Sequence, residues 1–304
     1  MDKLATAELL GRMAGRSNVT TDEMMMNHTS FKIGGPADIL VRPCDADSLV
    51  SIIRACTERG IPVFVMGNGT NLIVRDKGIR GVVAKLRDNM NGYELAGEEI
   101  AAQSGILLSR LSRIALENGL AGLEFAEGIP GTLGGAVTMN AGAYDGDMSM
   151  VVESTEYLSR DGRIINLDHR QHCFGKRSSF IQSDGGVALK SRIRLKKGDR
   201  EQIRTKMDAF SKLRREKQPL NLPSAGSVFK RPEGHYAGKL VQDCGLKGFR
   251  IGGAEVSDLH CGFIVNTGNA TAADVVALIK HIQDTVLARY GVQLHTEVKV
   301  VGEE

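Results

Sequence analysis

No stretch of the chain approaches the ~20 consecutive apolar residues that a membrane-spanning helix needs. The N-terminus, MDKLATAELLGRMAG, has no uninterrupted apolar core of a secretory leader. There is no excess of one charge: 39 Lys and Arg stand against 36 Asp and Glu, a net charge of +3 over 304 residues. A nucleic-acid binder shows a basic excess or stripe, so that class is disfavoured. The five cysteines are odd in number and widely spaced, with no C-x-x-C among them. This argues for reduced thiols and a cytoplasmic location over a disulfide framework. No internal repeat or low-complexity segment is present, which disfavours solenoids and propellers. What the chain has in surplus is glycine: 36 of 304 residues, about 12%, against a typical ~7%. The glycines are clustered rather than periodic, and the clusters are where ligand chemistry is sought.

At ~150 residues per domain the length of 304 predicts about two domains, and the hydrophobic pattern mixes helices and strands. The first residues read as a short amphipathic helix and a Met-rich connector (Met24, Met25, Met26), a packing arm over residues 1–26. From Ala37 the pattern alternates. ADILVRP is a strand stopped by Pro43. Asp45 or Asp47 caps a helix ended by Gly60, and IPVFVM is a short buried strand. Residues 106–118 place Leu107, Leu108, Leu111, Ile114 and Ala115 on one helical face, with Gly119 as its stop. A hairpin is predicted around Asp161-Gly162, then a strand in VALKSRIRL. At Asp199 a long charged amphipathic helix begins and runs to Pro219, and a domain boundary is placed there. Thr271-x-x-Asp274 opens another helix, ended by Gly291, and VQLHTEVKVVG reads as a final strand.

Two glycine clusters carry candidate chemistry. Gly67-Asn68-Gly69-Thr70-Asn71 follows a predicted strand, where glycines let the backbone turn sharply and aim N–H groups at an anion. A dinucleotide fingerprint needs G-x-G-x-x-G, but position 72 is Leu. A P-loop needs G-K-[ST], but Gly238-Lys239 is followed by Leu240. For this cluster alone, a phosphate role and a plain loop stand about even. The second cluster runs Gly128-Ile129-Pro130-Gly131-Thr132-Leu133-Gly134-Gly135-Ala136 and continues in Asn140-Ala141-Gly142. So many small residues in an apolar context allow a ligand to lie against main chain. A long ligand with a pyrophosphate could span both clusters. His169-x-x-His172-Cys173 lacks a fourth ligand at a regular spacing and reads as a turn, with no metal site expected; Lys212 to Lys217 reads as the polar face of a helix.

The segments NHTSFKIGGPAD, GNGTNLIVRD, GLEFAEGIPGTLGGAVTMNAGAY, QPLNLPSAGSVFKRP and LHTEVKVVG occur in one order along nearly the whole chain. In them the chain resembles the UDP-N-acetylenolpyruvoylglucosamine reductases, the MurB family, which make a peptidoglycan precursor in bacteria. The stretch from Phe180 to Asp199 leaves no room for the tyrosine-bearing loop of the family's longer branch, so the likeness is to the shorter type. The resemblance implies an α+β fold: a two-lobed FAD-binding domain of vanillyl-alcohol-oxidase type over 27–198 (lobes about 27–95 and 96–198), and an α+β UDP-sugar domain over 199–304. The final strand would carry Glu297 into the active site.

The implied cofactor is non-covalent FAD, with NADPH as co-substrate. Gly67, Asn68, Gly69, Thr70, Asn71, Gly128, Ile129, Pro130, Gly131, Gly134, Gly135, Asn140, Ala141 and Gly142 are the implied FAD contacts. In the implied reaction NADPH reduces FAD, and N5 gives hydride to the methylene carbon of the enolpyruvyl ether. Ser227 aligns with the proton donor, Arg177 with the arginine that binds the substrate carboxylate, and Glu297 with the catalytic glutamate. Lys230 and Arg231 are candidates for the UDP diphosphate. The family usually shows Tyr-Arg-x-Ser where this chain has Lys176-Arg177-Ser178-Ser179. The implied partners are small molecules, with neither nucleic acid nor membrane. The oligomeric state is open, a monomer being compatible with the sequence. The alternatives are an FAD-dependent sugar or alcohol oxidase of the same fold, and a flavin or nucleotide-sugar binding module without chemistry.

Overall fold

A computed structural model describes residues 1–304. The chain is α+β and divides into two compact units. The first comprises 1–20, 39–68 and 81–214, and the second 21–38, 69–80 and 215–304.

In the first unit, helix α1 (Lys3–Ala14) is capped by the Asp2 side chain, which accepts from Ala5 N. Helix α2 (Ala46–Glu58) starts at Asp45 in a capping box with Ser48 and buries Leu49, Val50, Ile52, Ala55 and Cys56 on one face. Fully burying a side chain such as Leu49 or Ile52 is worth about 1.5–3 kcal/mol, so this face rather than intrinsic propensity holds the helix. It packs on the parallel strands Val63–Met66 and Ile79–Lys85, with Leu10 and Ala14 of α1 completing the same core. The expected arm over 1–26 is therefore not separate. Its helix is core of the first unit, while Met25 is fully buried in the second.

The other core of the first unit lies on a five-stranded antiparallel sheet in the order Ile164–Asp168, Val152–Leu158, Val187–Arg194, Glu99–Gln103, Tyr93–Ala96. Helices α3 (Leu108–Glu117), α4 (Leu133–Thr138) and α5 (Phe180–Asp184) accompany it, and their apolar faces fill the core with Ile100, Ile193 and Phe125. Helix α6 (Arg200–Lys217) buries only Ile203 and Met207. The unit division falls inside it, at 214/215, rather than at 198/199.

The second unit holds a four-stranded antiparallel sheet, Ser224–Ser227, Phe263–Asn266, Ala254–Val256 and Arg250–Ile251, with helices α7 (Ala237–Asp243) and α8 (Ala272–Tyr290). Thr271 and Asp274 form the capping box of α8, and Gly291 closes it at φ 67°. Segment 69–80 belongs here for two reasons. Strand Leu72–Val74 pairs in parallel with Lys299–Val301, and the Asp76 carboxylate accepts from Ala272 N (2.8 Å) and Ala273 N (3.0 Å) at the start of α8. Only Lys299–Val301 of the expected final strand is regular. Glu297 lies just before it, because there the chain pairs with the 228–230 segment by isolated hydrogen bonds instead of a ladder.

Candidate active site

The sequence-predicted residues fall into two groups, one in each unit. In the first unit the two glycine clusters, some sixty positions apart in sequence, meet directly. Gly67 ends the strand Val63–Met66, and a Cβ built on it would run into the Thr132 side chain. The Asn68 amide donates to Pro130 O at 2.7 Å. The second cluster is fastened in turn: Leu108 N donates to Gly131 O (3.0 Å), Leu133 N to Ile106 O (2.9 Å) and Gly134 N to Ser104 O (2.9 Å). A Cβ on Gly134 would lie 2.7 Å from that of Ser104. On Gly128, at φ +73°, it would lie 3.0 Å from Cδ and Nε of Arg214. Glycine is thus required at 67 and 134 by close approach and favoured at 128 by its positive φ, which forms a side-chain-free cradle of main chain.

Not every small residue in the loop is constrained in this way. A Cβ on Gly135 would meet nothing nearer than Thr132 Oγ1 at 3.8 Å. Its place is left open to whatever lies against the loop. An extended nucleotide cofactor with a diphosphate fits such a cradle, since backbone can approach it closely.

Asn140, Ala141 and Gly142 follow α4. Asn140 is buried and adopts φ +43°, a region that Asn tolerates better than most residues. Gly142 and Ala143 pair with Gly146 and Asp147 in a small hairpin. Arg177 lies on a tight loop closed by the Gly175–Ser178 bridge, itself at φ +57°. Its guanidinium donates to Gly142 O (2.9 Å) and Asn140 O (3.5 Å). Behind this loop His172 is fully buried, stacked on Phe174 at 4.7 Å, and its Nδ1 hydrogen-bonds Asp168 O at 2.7 Å. Burial pushes its pKa below the usual histidine value, so it stands neutral. No group of three or more His, Cys, Asp or Glu converges as a metal would require.

In the second unit, Gly226 at φ +78° turns the chain so that Ser227 stands exposed at the end of Ser224–Ser227. Val228 N donates to Gly262 O (2.9 Å). Glu297 N donates to Val228 O (2.8 Å), and Lys230 N donates to His295 O (2.9 Å). Ser227, Lys230 and Glu297 are thereby held on two adjoining segments. Asn71, expected at the cofactor, donates from its side-chain amide to Glu297 O at 3.1 Å and accepts Lys299 N at its main-chain oxygen. It fastens the glutamate's backbone. Gly69 O accepts from Ser30 N at 3.0 Å. Arg231 lies over the Tyr236 ring, 3.9 Å from its centroid.

Sequence reasoning gave no role to four residues: Thr132, quoted only as part of its cluster, and Ser104, against which the glycines close; Arg214, packed on Gly128; and Tyr236 beneath Arg231. Thr132 could have been found, because it is the one hydroxyl within the glycine run. Arg214 could not, because it sits with Lys212, Arg215, Glu216 and Lys217 in a run that reads as the solvated face of a helix.

Comparison with known proteins decides the family. An FAD binding domain profile matches residues 37–168, and the profile of the UDP-N-acetylenolpyruvoylglucosamine reductase C-terminal domain matches 218–301. The reductase of Alkaliphilus oremlandii is 51% identical over 304 residues, all of both chains. That of Clostridium tetani is 49% identical over 95% of this chain and 94% of its own. The chain belongs to the UDP-N-acetylenolpyruvoylglucosamine reductase (MurB) family. A crystal structure of this reductase from Thermus caldophilus shares 35% identity and a TM-score of 0.79, over 91% of this chain and 97% of that one. A variant of Phl p 4 described as a glucose oxidase, 13% identical, has a TM-score of 0.51 over 66% of this chain and 45% of its own. That likeness concerns the fold alone; the expected FAD-binding domain followed by a C-terminal α+β domain rests on the two profiles. No helix is long and apolar enough to cross a membrane.

Proposed function

We propose that this member of the family is an NADPH-dependent flavoenzyme. It reduces the enolpyruvyl ether of UDP-N-acetylglucosamine enolpyruvate to the lactyl ether, giving UDP-N-acetylmuramate for peptidoglycan synthesis. The observation that carries the reading is full-length identity near 50% to reductases of that name, together with Ser227 and Glu297 held on adjoining segments. FAD, when bound, would supply the hydride chemistry between NADPH and the methylene carbon of the substrate.

The chain's own residues supply the rest. The backbone cradle of 67–68 and 128–135 holds the dinucleotide. Hydride addition moves negative charge toward the carbon next to the carboxylate, and that charge has to be stabilised and then protonated. The Arg177 guanidinium, a permanent planar fork, takes the substrate carboxylate. The Ser227 hydroxyl gives its proton to the neighbouring carbon. A serine is a weak acid, so it serves only against a strongly basic carbanion, and the exposed turn that Gly226 provides lets it approach one. Glu297 acts as a proton source or as an orienting acceptor beside the developing charge. Lys230 and Arg231 bind the diphosphate. The setting is the cytoplasm, where thiols such as the five free cysteines stay reduced. The oxidase alternative is not favoured, since the full-length relatives are reductases.

Steady-state NADPH oxidation tests the reading. It depends on the enolpyruvyl UDP-sugar, and Ser227→Ala lowers kcat by about 10²- to 10⁴-fold, the range of a lost general acid. Turnover by Ser227→Ala within twofold of the parent would remove Ser227 from this role.

A further inference from the structure

Asn140 was expected at the flavin, but its side chain is committed elsewhere. The amide nitrogen donates to Gly175 O at 3.1 Å, and the amide oxygen accepts Ser149 N at 2.9 Å. Its main-chain oxygen is one of the two carbonyls that receive the Arg177 guanidinium, the other being Gly142 O two residues on. The residue is 5% exposed. One buried amide thus ties Ser149, just past the 142–147 hairpin, to the Gly175–Ser178 loop that carries Arg177, while the main-chain carbonyl of the same residue receives that arginine.

The backbone on both sides of this tie is unusual. Asn140 (φ +43°), Tyr144 (φ +58°), Cys173 (φ +45°) and Arg177 (φ +57°) are four of the six non-glycine residues with positive φ in the chain. Such conformations persist only where the surroundings over-determine them, and they gather at sites that need preorganised side chains. Of these, Arg177 is tied to Asn140 twice, through its guanidinium on Asn140 O and through the Asn140 amide on Gly175 O of its loop. A second anchor confirms that the loop is held and not merely packed: Ser179 Oγ donates to Thr138 O at 2.7 Å, and Phe180 N to His172 O at 2.7 Å.

We propose that Asn140 is a positioning residue for Arg177, acting through the Gly175 carbonyl and its own, and not a flavin contact of its side chain. The proposal deepens the reading above and rests on Arg177 taking the substrate carboxylate. With the tether cut, Arg177 keeps its charge but loses its fixed direction. The cost then falls on steps involving the enolpyruvyl sugar, not on holding FAD.

The test uses Asn140→Gly and Asn140→Asp in the FAD-loaded enzyme, with Arg177→Lys as control. Asn140→Gly keeps a backbone free to adopt positive φ and the carbonyl facing Arg177, but removes both side-chain bonds. Asn140→Asp keeps the acceptor for Ser149 N and loses the donor to Gly175. In both variants, reoxidation of the pre-reduced enzyme by the enolpyruvyl UDP-sugar falls at least tenfold. The FAD dissociation constant and visible spectrum stay within twofold of the parent. Hydrogen exchange speeds up in peptide 173–179 but not in 133–139. Reoxidation within twofold of the parent in either variant would overturn the proposal, as would FAD affinity falling in step with reoxidation, which would make Asn140 a cofactor contact. If Arg177→Lys itself reoxidises at the parental rate, the carboxylate reading fails, whatever the Asn140 variants do.

Discussion

Gly134 and Gly135 are adjacent, both lie in α4, and neither has positive φ, yet the structure assigns opposite outcomes to their replacement by alanine. Alanine in a helix is favoured over glycine by about 1 kcal/mol, so propensity alone stabilises both variants. At Gly134 the new Cβ lies 2.7 Å from Ser104 Cβ and 3.2 Å from Ser104 O. An unstrained carbon pair sits at ~3.5–4.0 Å. Neither side can retreat, because Gly134 N is bonded to Ser104 O (2.9 Å) and Ser104 N to Leu189 O (3.0 Å). Overpacking of this kind costs about 2–3 kcal/mol, the upper part of the usual range. After the propensity gain, Gly134→Ala loses a net ~1–2 kcal/mol, which lowers Tm by about 3–6 °C in a domain of this size. At Gly135 the nearest atom is 3.8 Å away, so Gly135→Ala gains ~0.5–1 kcal/mol in the apoprotein. A double variant, Gly134→Ala with Ser104→Gly, recovers most of the clash, whereas Ser104→Ala, which keeps the Cβ, does not. Differential scanning calorimetry of the apoproteins reads all four. Shifts of the same sign at 134 and 135, or equal rescue by Ser104→Gly and Ser104→Ala, would refute the close-approach argument.

Other consequences follow from single contacts. Asp76→Ala removes two charge-assisted bonds to the first turn of α8 and destabilises the second unit by about 2 kcal/mol in urea unfolding. Burial holds the His172 pKa below its unfolded value of ~6.5, so its stabilising contribution is complete above that pH and is lost as pH falls below it. The parent therefore loses more Tm between about pH 7.5 and 5 than His172→Gln does; equal slopes would exclude His172 as the source. Tyr236→Leu removes the ring under Arg231 and raises KM for the UDP-sugar about 2- to 5-fold with kcat kept, the worth of an exposed cation–π pair, while Tyr236→Phe matches the parent.

Where the physics is local, the sequence was readable. Asp45, Thr271 with Asp274, and Gly291 mark helix ends through side-chain caps and a left-handed stop within one turn of the chain, and each sits where expected. The glycine clusters stood out in the sequence as places where the backbone needs residues without a Cβ, and close approach at Gly67 and Gly134 is what the structure puts there. Their mutual contact through Gly67, Thr132 and Asn68 was not legible, since nothing in either cluster names the other. The same holds for 69–80. Its strand pairs in parallel with residues 299–301, more than two hundred positions away, so a boundary drawn from local texture could not assign it to the second unit. Glu297 was recognised by its motif but placed on a strand by alternation. The regular ladder begins two residues later, at Lys299, because the preceding hydrogen bonds go to Val228. Asn140 and Asn71 show the remaining gap. A motif proposes an asparagine for the cofactor, but only coordinates show that its amide bonds Gly175 O or Glu297 O.

The most direct test of the account is an anaerobic titration followed in the visible spectrum. The purified, FAD-loaded protein is yellow, bleaches on addition of NADPH, and regains its colour stoichiometrically when the enolpyruvyl UDP-sugar is added. A protein that cannot be loaded with FAD, or a loaded one that NADPH does not bleach, would contradict the reductase assignment. Recovery of colour only on admitting oxygen, and not with the sugar, would contradict the assigned substrate.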